Sequence, residues 1–206
     1  MITKEQFQLL DSLYDYYNKE LFEGQLKDCM ITTSRKKRVR GFFAPEMWKN
    51  KELEKYSVIH EISLNPDFLH RKDEEWQSTL VHEMVHLWQK DLGNPSRGGY
   101  HNREWADKMQ EIGLMPSNTG LPEGKKTGQQ MTHYIMTHGL FIKAFKSVSE
   151  KIKYISSDIL IGASVAKKTS VKLKTKYTCP CNNNVWGKPD LLITCDACKQ
   201  SFIQAE

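Results

Sequence analysis

The sequence predicts an α+β protein in which helices and a small antiparallel sheet form one domain and a short cysteine-rich ribbon follows. Three observations support this prediction. Apolar residues recur with helical spacing in the first 22 positions, segments between 29 and 64 alternate as strands do, and four of the five cysteines fall in the last 28 residues. A length of 206 residues allows one ordinary domain with a small appendage.

Composition excludes several classes of protein. Hydrophobic residues at 39% and charged residues at 27% indicate a soluble globular chain rather than a disordered one. No apolar run reaches the ~18 residues that a membrane helix needs. Because the first residues do not resemble a secretory signal, we expect a cytoplasmic protein, nucleoid-associated in a bacterium or nuclear in a eukaryote. The sequence does not indicate an oligomeric state.

The first half of the chain begins with a helix and continues with strands. A helix is predicted over 3–22, where Thr3 and Gln6 form a capping box. Short strands are then expected, the last two as a hairpin or meander, over 29–34, 38–44 and 57–64.

Two more helices and a long loop follow. Asp73 is the predicted N-cap of a helix over about 75–92, and a shorter helix is expected over about 102–112. Residues 116–130 are rich in Gly, Pro, Ser, Asn and Thr, which indicates a loop. The expected domains are a main domain over 1–142, a basic connector over 143–176 and a ribbon over 177–206.

The helix over 75–92 contains the motif VHEMVHLWQ. His82 and His86 lie four residues apart, so both imidazoles project from one face of the helix, and Glu83 is adjacent. In an HExxH motif the two imidazoles hold Zn²⁺, while the glutamate acts on the water that attacks a peptide carbonyl. The sequence therefore predicts a catalytic zinc site with Glu83 as general base.

A catalytic zinc ion needs a third protein ligand. Gln89 and Leu92 stand where the metzincin pattern requires glycine and histidine, so that class is excluded. His101 and Glu104 remain as candidates. His101 is better placed, because the glycines of RGGYH allow a tight return and the following helix fixes the origin of its side chain.

Other histidines have different interpretations. His133 and Tyr134 are possible donors to the oxyanion of a tetrahedral intermediate, with ordinary packing or capping as the alternative. His60 and Glu61 also form a His-Glu pair, but their segment alternates as a strand and has no second histidine four residues on. We therefore interpret that pair as unrelated to metal binding.

The end of the chain predicts a second, structural zinc site. Four thiolates in two short pairs are suitable tetrahedral ligands, and they come from Cys179, Cys181, Cys195 and Cys198. About thirty residues cannot build a core that folds alone, so the ion should stabilise this ribbon. Trp186 and Phe202 are expected either to pack under the metal or to offer a stacking surface to a nucleobase.

Positive charge is concentrated in two segments. The connector over 143–176 has nine lysines against two acidic residues. The segment RKKRVR supplies five basic side chains, from Arg35, Lys36, Lys37, Arg38 and Arg40. Such concentrations suit contacts with DNA phosphates, and the alternative is a solvated basic face with a basic linker.

The chain resembles the SprT-like metalloprotease family, which includes the Spartan proteases that act on DNA–protein crosslinks. The resemblance is carried by the amino-terminal helix, the strand ending in ISLNP, VHEMVHLWQ, HNREWADKM and the YTCPC and CDAC pairs. It implies a zincin-like metalloprotease domain, zinc at His82, His86 and His101, Glu83 as catalytic base, a zinc ribbon, and proteolysis coupled to DNA. The long loop and connector, with no eukaryotic tail after Glu206, indicate a bacterial, phage or mobile-element member.

We therefore expect a zinc metalloendopeptidase with one catalytic and one structural Zn²⁺. Its expected partners are single-stranded or distorted duplex DNA, and its expected substrates are proteins bound or crosslinked to that DNA. Two alternatives remain open, a non-catalytic DNA-binding zinc protein and a peptidase without a nucleic-acid role.

Overall fold

A computed structural model describes residues 1–50, 58–148, 152–156 and 174–204. The chain divides into two compact units, Met1–Leu160 and Ile161–Glu206. Within these described ranges the protein is α+β, with four α-helices and small sheets. No helix in the described part combines the length and apolar character that crossing a membrane requires.

The first unit contains all four described helices and two of the sheets. The helices are α1 (Ile2–Phe22), α2 (Asp73–Leu92), α3 (Arg103–Glu111) and α4 (Leu140–Lys146). The strands are β1 (Met30–Thr33), β2 (Gly41–Lys49), β3 (Val58–Leu64), β4 (Leu114–Ser117) and β5 (Thr132–Ile135).

Helix α1 confirms the helical pattern of the first residues. Its buried face presents Leu10, Leu13 and Tyr17 to the core at the spacing expected for one side of a helix. The predicted capping box is wrong, because the helix begins at Ile2 and no side chain caps its start. Burial of the apolar face therefore stabilises this helix without a local N-terminal signal.

The main sheet has the strand order β1-β3-β2. Strand β2 is antiparallel to β3, with Phe43 opposite Ile62, but β1 is parallel to β3, with Ile31 opposite the same residue. The prediction of an antiparallel sheet is thus confirmed for β2 and β3 and wrong for β1. Residues 34–40 carry the chain from one edge of the sheet to the other, so β1 and β2 run in opposite directions on either side of β3.

Helix α2 packs against β2, β3, α1 and α3 and lies at the centre of the first unit. Leu80, Met84 and Val85 are completely buried. The helix begins two residues earlier than predicted, and Asp73 is not its N-cap. That position belongs to Lys72, while the carboxylate of Asp73 accepts a hydrogen bond of 2.9 Å from the indole of Trp76.

The region after α3 is more ordered than its composition suggests. Residues 114–117 form β4, which pairs antiparallel with β5 and places Pro116 opposite His133. The predicted loop is therefore shorter and lies between these two strands. Gly113 (φ +91°) approaches Gly139 so closely that a Cβ atom on Gly113 would lie 2.6 Å from the Cα atom of Gly139.

The second unit contains a three-stranded antiparallel sheet in the order β7-β6-β8. Its strands are β6 (Thr175–Thr178), β7 (Asn184–Gly187) and β8 (Ile203–Gln204). Tyr177 is buried at the centre, and its hydroxyl donates to the carbonyl of Lys188 at 2.5 Å. Most of the predicted basic connector, including 157–173, lies outside the described residues.

Candidate metal centres

Three histidines converge in the first unit. His82 and His86 project from α2, and His101 immediately precedes the residue that caps α3. One ring nitrogen from each lies within 4.8 Å of the others, and His86 Nε2 is 3.1 Å from His101 Nε2. The structure therefore brings together the three histidines that the sequence predicts as ligands, and we call them the histidine centre.

Hydrogen bonding and burial suit this centre to a metal ion. The ring of His101 donates from Nδ1 to the carbonyl oxygen of Gly128 at 3.1 Å, which leaves Nε2 facing His86. Burial lowers the pKa of His86 to about 3 and that of His82 well below its ordinary value, so the rings are neutral. Neutral imidazoles held through their second nitrogen are typical zinc ligands, and the residues present therefore fit Zn²⁺.

Glu104, the alternative third ligand, has other partners. Its carboxylate accepts from the backbone amide of Asn94 and from Gln89 Nε2, both at 2.7 Å. These bonds, first of all the one from Asn94, lower the pKa of Glu104. Gln89 also donates to Asn102, whose side chain caps α3 by accepting from the amide of Trp105. Glu104 therefore helps to fasten α3 to the end of α2 rather than facing the histidines.

Glu83 follows His82 in α2 and is buried, with 6% of its surface exposed. Burial raises the pKa of its carboxyl group to about 8, while a hydrogen bond from the backbone amide of Phe43 acts in the opposite direction. The ring of Phe43 also stacks on His86, with centroids 6.5 Å apart and an interplanar angle of 10°. Strand β2 thus contacts both the glutamate and one histidine.

The sequence analysis did not identify Trp105, whose indole packs against the histidine centre. Its ring is completely buried, stacks on His86 at 5.4 Å and meets His101 edge-on at 4.3 Å. The signal was its position in the segment HNREWADKM, four residues after His101. Gln89 and Ser78 were also missed, although their spacing of seven and four residues from His82 places them on the same side of α2.

The two predicted oxyanion donors lie in β5. His133 contacts the centre, because its Nδ1 is 3.1 Å from His82 Nδ1, and its Nε2 is 2.8 Å from Ser78 Oγ. Tyr134 is the next residue of the strand, and successive side chains of a strand point to opposite faces. Both ring nitrogens of His133 are thus engaged within the protein, and a role of either residue at an oxyanion stays a prediction.

His60 lies apart from the histidine centre, in β3. Its Nδ1 accepts from the backbone amide of Glu46 at 2.9 Å, and its Nε2 is 3.1 Å from a carboxylate oxygen of Asp91. The buried pair of His60 and Asp91 therefore joins the end of α2 to the sheet. It does so next to the part of β2, between Ala44 and Trp48, where the pairing of β2 with β3 is interrupted. Its contacts are therefore structural.

The four cysteines of the second unit form another cluster. Their sulfur atoms lie within 4.8 Å of one another. Two similar turns hold them: the amide of Asn182 donates to the carbonyl of Cys179, the amide of Lys199 donates to that of Cys195, and both donors have positive φ. Backbone amides of Cys198 and Ala197 lower the pKa of Cys195 and favour its thiolate. The donor set fits a tetrahedral zinc ion.

Trp186 does not pack beneath this cluster. It lies in β7 opposite Lys176, with 62% of its surface exposed. The packing alternative for this tryptophan is therefore wrong, because nothing in the described part of the second unit covers most of its ring. Phe202 is half-buried.

The RKKRVR segment is anchored at its backbone and exposed at its side chains. Asn65 donates from its side-chain amide to the carbonyls of Lys36 and Val39. Arg35 pairs with Asp67 at 3.1 Å. All five basic residues of the segment are exposed: Arg35, Lys36, Lys37, Arg38 and Arg40.

A model of the SprT-like family matches residues 10–127, more than half of the chain. The chain belongs to the SprT-like family. The matched range includes α2, the histidine centre and Glu83, whereas the cysteine cluster lies outside it. The resemblance predicted from the sequence motifs is confirmed, and membership of the SprT-like family suggests a metalloprotease-type function.

One curated relative of this SprT-like chain comes from Salmonella typhimurium and is described as an uncharacterized protein in the mucB 3' region. The two are 40% identical over 40 residues, which is 19% of this chain and 54% of the relative. The chain thus spans about half the length of the curated relative that it matches. This similarity is consistent with a bacterial or mobile-element origin.

Proposed function

We propose that this SprT-like protein is a zinc-dependent metalloendopeptidase with a zincin-like fold. The observation that carries the proposal is the convergence of His82, His86 and His101 within 4.8 Å, beside a buried glutamate from the same helix. Zn²⁺ would be held by these three neutral imidazoles, a number of protein ligands that is typical of catalytic zinc sites. When bound, Zn²⁺ supplies a Lewis acid for the scissile carbonyl and makes water more acidic.

Glu83 is the general base of the proposed reaction. Its carboxylate takes a proton from the attacking water as the new carbon–oxygen bond forms, and returns a proton to the amine as the carbon–nitrogen bond breaks. Burial gives this carboxylate a high proton affinity, and the amide of Phe43 orients it. The rings of Phe43 and Trp105 pack against the histidines and help to exclude water from one side of the centre.

We further propose that the substrates are proteins bound or crosslinked to DNA. The five exposed basic residues of RKKRVR support a contact with phosphates. Arg40 donates to the hydroxyl of Thr132 at 3.4 Å, next to His133 in β5, so the basic segment ends close to the histidine centre. The exposed ring of Trp186 offers a surface on which a base of single-stranded or distorted DNA can stack. DNA would then select substrates by proximity.

The deciding experiment compares cleavage of a DNA-bound protein by wild type and Glu83→Gln, each with and without DNA. We expect the variant to keep its zinc and to lose cleavage by roughly 10²- to 10⁴-fold, because it cannot move the proton. Glu74→Gln, in the first turn of the same helix, is the matched control and should retain activity.

Each contrary outcome has a separate meaning. Cleavage by Glu83→Gln at the wild-type rate would refute the mechanism. Wild-type cleavage that is indifferent to DNA would indicate a peptidase without a nucleic-acid role. DNA binding with zinc present but no cleavage of any protein would indicate a non-catalytic DNA-binding zinc protein.

A further inference from the structure

We propose that His133 is a positioning residue that determines which ring nitrogen of His82 is available to the metal. It does so through a directed chain of hydrogen bonds that runs from His82 through His133 and Ser78 to the backbone of α2. This inference rests on the proposed zinc site. This positioning role differs from the oxyanion role. In the positioning role His133 contacts His82, whereas in the oxyanion role it would contact the substrate.

The direction of the chain is fixed at Ser78. Its hydroxyl oxygen lies 2.9 Å from the carbonyl oxygen of Glu75, which can only accept a hydrogen bond. A hydroxyl group has a single hydrogen, so at its other contact, 2.8 Å from His133 Nε2, Ser78 accepts. The hydrogen at that contact therefore belongs to His133 Nε2.

The state of His133 follows from its surroundings. The groups that contact its two ring nitrogens are Ser78 Oγ and His82 Nδ1, and neither is a carboxylate. The guanidinium of Arg40 bonds to the neighbouring Thr132, so none of these contacts stabilises a positive charge on the ring, and the imidazole is neutral. A neutral imidazole carries one hydrogen, and here that hydrogen is on Nε2. Nδ1 is therefore an acceptor, and the group that faces it at 3.1 Å, His82 Nδ1, must donate.

The consequence for His82 is a fixed tautomer. A neutral His82 that donates from Nδ1 has its lone pair on Nε2, the nitrogen that an ion in the centre would contact. His101 is held in the same way, because it donates from Nδ1 to the carbonyl oxygen of Gly128. Two of the three histidines thus present Nε2 through hydrogen bonds made on the opposite side of the ring, one to a side chain and one to the backbone.

Partners of this kind contribute to metal affinity. They hold the ring in the ligating orientation before the ion arrives, and their loss typically weakens binding by about 10- to 100-fold. His133→Leu removes the acceptor for His82 and should weaken metal binding at the histidine centre by that factor. His133→Gln can accept from His82 through its oxygen and donate to Ser78 through its nitrogen, so it should retain much of the affinity.

The test is titration of the full chain with Co²⁺, with Zn²⁺ competition. Charge-transfer absorption from thiolate to cobalt reports occupancy of the cysteine cluster. Ligand-field bands that are not accompanied by this charge-transfer absorption report occupancy of the histidine centre. We expect the affinity order wild type, His133→Gln, His133→Leu at the centre, with no change at the cysteines. Nitrogen-15 spectra of the zinc-loaded wild type should show hydrogen on His82 Nδ1.

Several results would overturn the proposal. The first is a His133→Leu variant that binds metal at the histidine centre as tightly as wild type does. If that variant also has a lowered kcat, the role of His133 is to donate to the oxyanion and not to position His82. A His133→Gln variant as weak as His133→Leu would also refute the hydrogen-bond chain. If His133→Leu does not fold, Ser78→Ala removes the fixed acceptor with little change of volume, and it should lower affinity by a smaller factor. Inactivity of the loaded wild type would refute the proteolytic function and leave these affinities unaffected.

Discussion

The side-chain amide of Gln89 donates to Asn102 Oδ1 at 2.7 Å, across thirteen residues of sequence. The bond links the last turns of α2 to the residue that follows His101. Because Gln89 also donates to Glu104 and is only 3% exposed, the third histidine of the centre is held against the helix that carries the other two.

Gln89→Leu should therefore weaken both folding and metal binding. It removes one hydrogen bond to Asn102 and one to Glu104, each of which keeps another donor, and a typical hydrogen bond contributes about 0.5–1.5 kcal/mol to the free energy of unfolding. Zinc affinity at the histidine centre should fall as well, because His101 loses its support. Urea unfolding with and without chelator, together with zinc competition, measures both effects. Gln8→Leu, on the exposed side of α1, is the control. Unchanged zinc affinity in Gln89→Leu would show that His101 is positioned independently of this bond.

The cysteine cluster should hold an ion of its own. Wild type is expected to contain two zinc ions per chain, and Cys195→Ser with Cys198→Ser should contain one, because the two donor sets differ in chemistry and belong to different units. Elemental analysis of the purified proteins gives the counts. Cys29→Ser is the matched control and should retain two ions. A double variant that also retains two would refute the ribbon site.

Removal of charge from RKKRVR should reduce the salt dependence of DNA binding. Replacement of Arg35, Lys36, Lys37 and Arg38 by glutamine should lower the slope of log affinity against log salt by up to ~0.9 per lost contact on duplex, or ~0.7 on single strands. The loss should be equal across sequences, since backbone contacts read no bases. Fluorescence anisotropy over a salt series measures the slope.

Two variants control this experiment. Lys4→Gln with Lys19→Gln removes exposed charge from α1 and should leave the slope unchanged. Trp186→Ala should weaken binding to single-stranded or distorted DNA without a matching change in slope, because stacking releases few counterions. Wild-type behaviour of the RKKRVR variant at every salt concentration would identify that segment as solvated surface.

Cys29 should be unreactive in the folded protein. Burial raises the pKa of its thiol to about 12, and the thiolate is the form that attacks alkylating reagents. At pH 8 its modification should be slower than that of an ordinary exposed cysteine by on the order of 10³-fold, and the rate should increase as the pH rises toward 12. Peptide mapping after iodoacetamide treatment measures this, with the denatured chain as reference. Equal rates in the two states would contradict the prediction.

The sequence predicts elements whose signals are local. The four-residue spacing of His82 and His86 and the apolar stripe of α1 report helices directly, and the glycines before His101 indicate the return that brings it back. The parallel pairing of β1 with β3 has no such signal, because it depends on the route of residues 34–40 around the sheet. The contact of Ser78 with His133 joins residues 55 positions apart, and no local period reports it.

Capping was predicted less well than burial. Asp73 has a residue type favoured at N-caps, yet its carboxylate accepts a hydrogen bond from Trp76, and Asp73 is itself the first residue of the helix. The free energy of burying the indole and the apolar face of α2 exceeds the roughly 1 kcal/mol that a cap contributes. Tertiary packing therefore determined where this helix begins.

The carbonyl oxygen that orients His101 belongs to Gly128, in the segment between β4 and β5, and the two residues also exchange backbone hydrogen bonds of 2.9 and 3.1 Å. Occupancy of the centre and order in this segment are consequently coupled equilibria, and the coupling is reciprocal. An ion that strengthens the contact between His101 and Gly128 raises the protection of this segment from hydrogen exchange by a certain factor. Displacing the segment lowers the binding affinity of the ion by the same factor. A macromolecule that pulls on residues 118–131 would thus act as an effector of metal retention without touching a ligand.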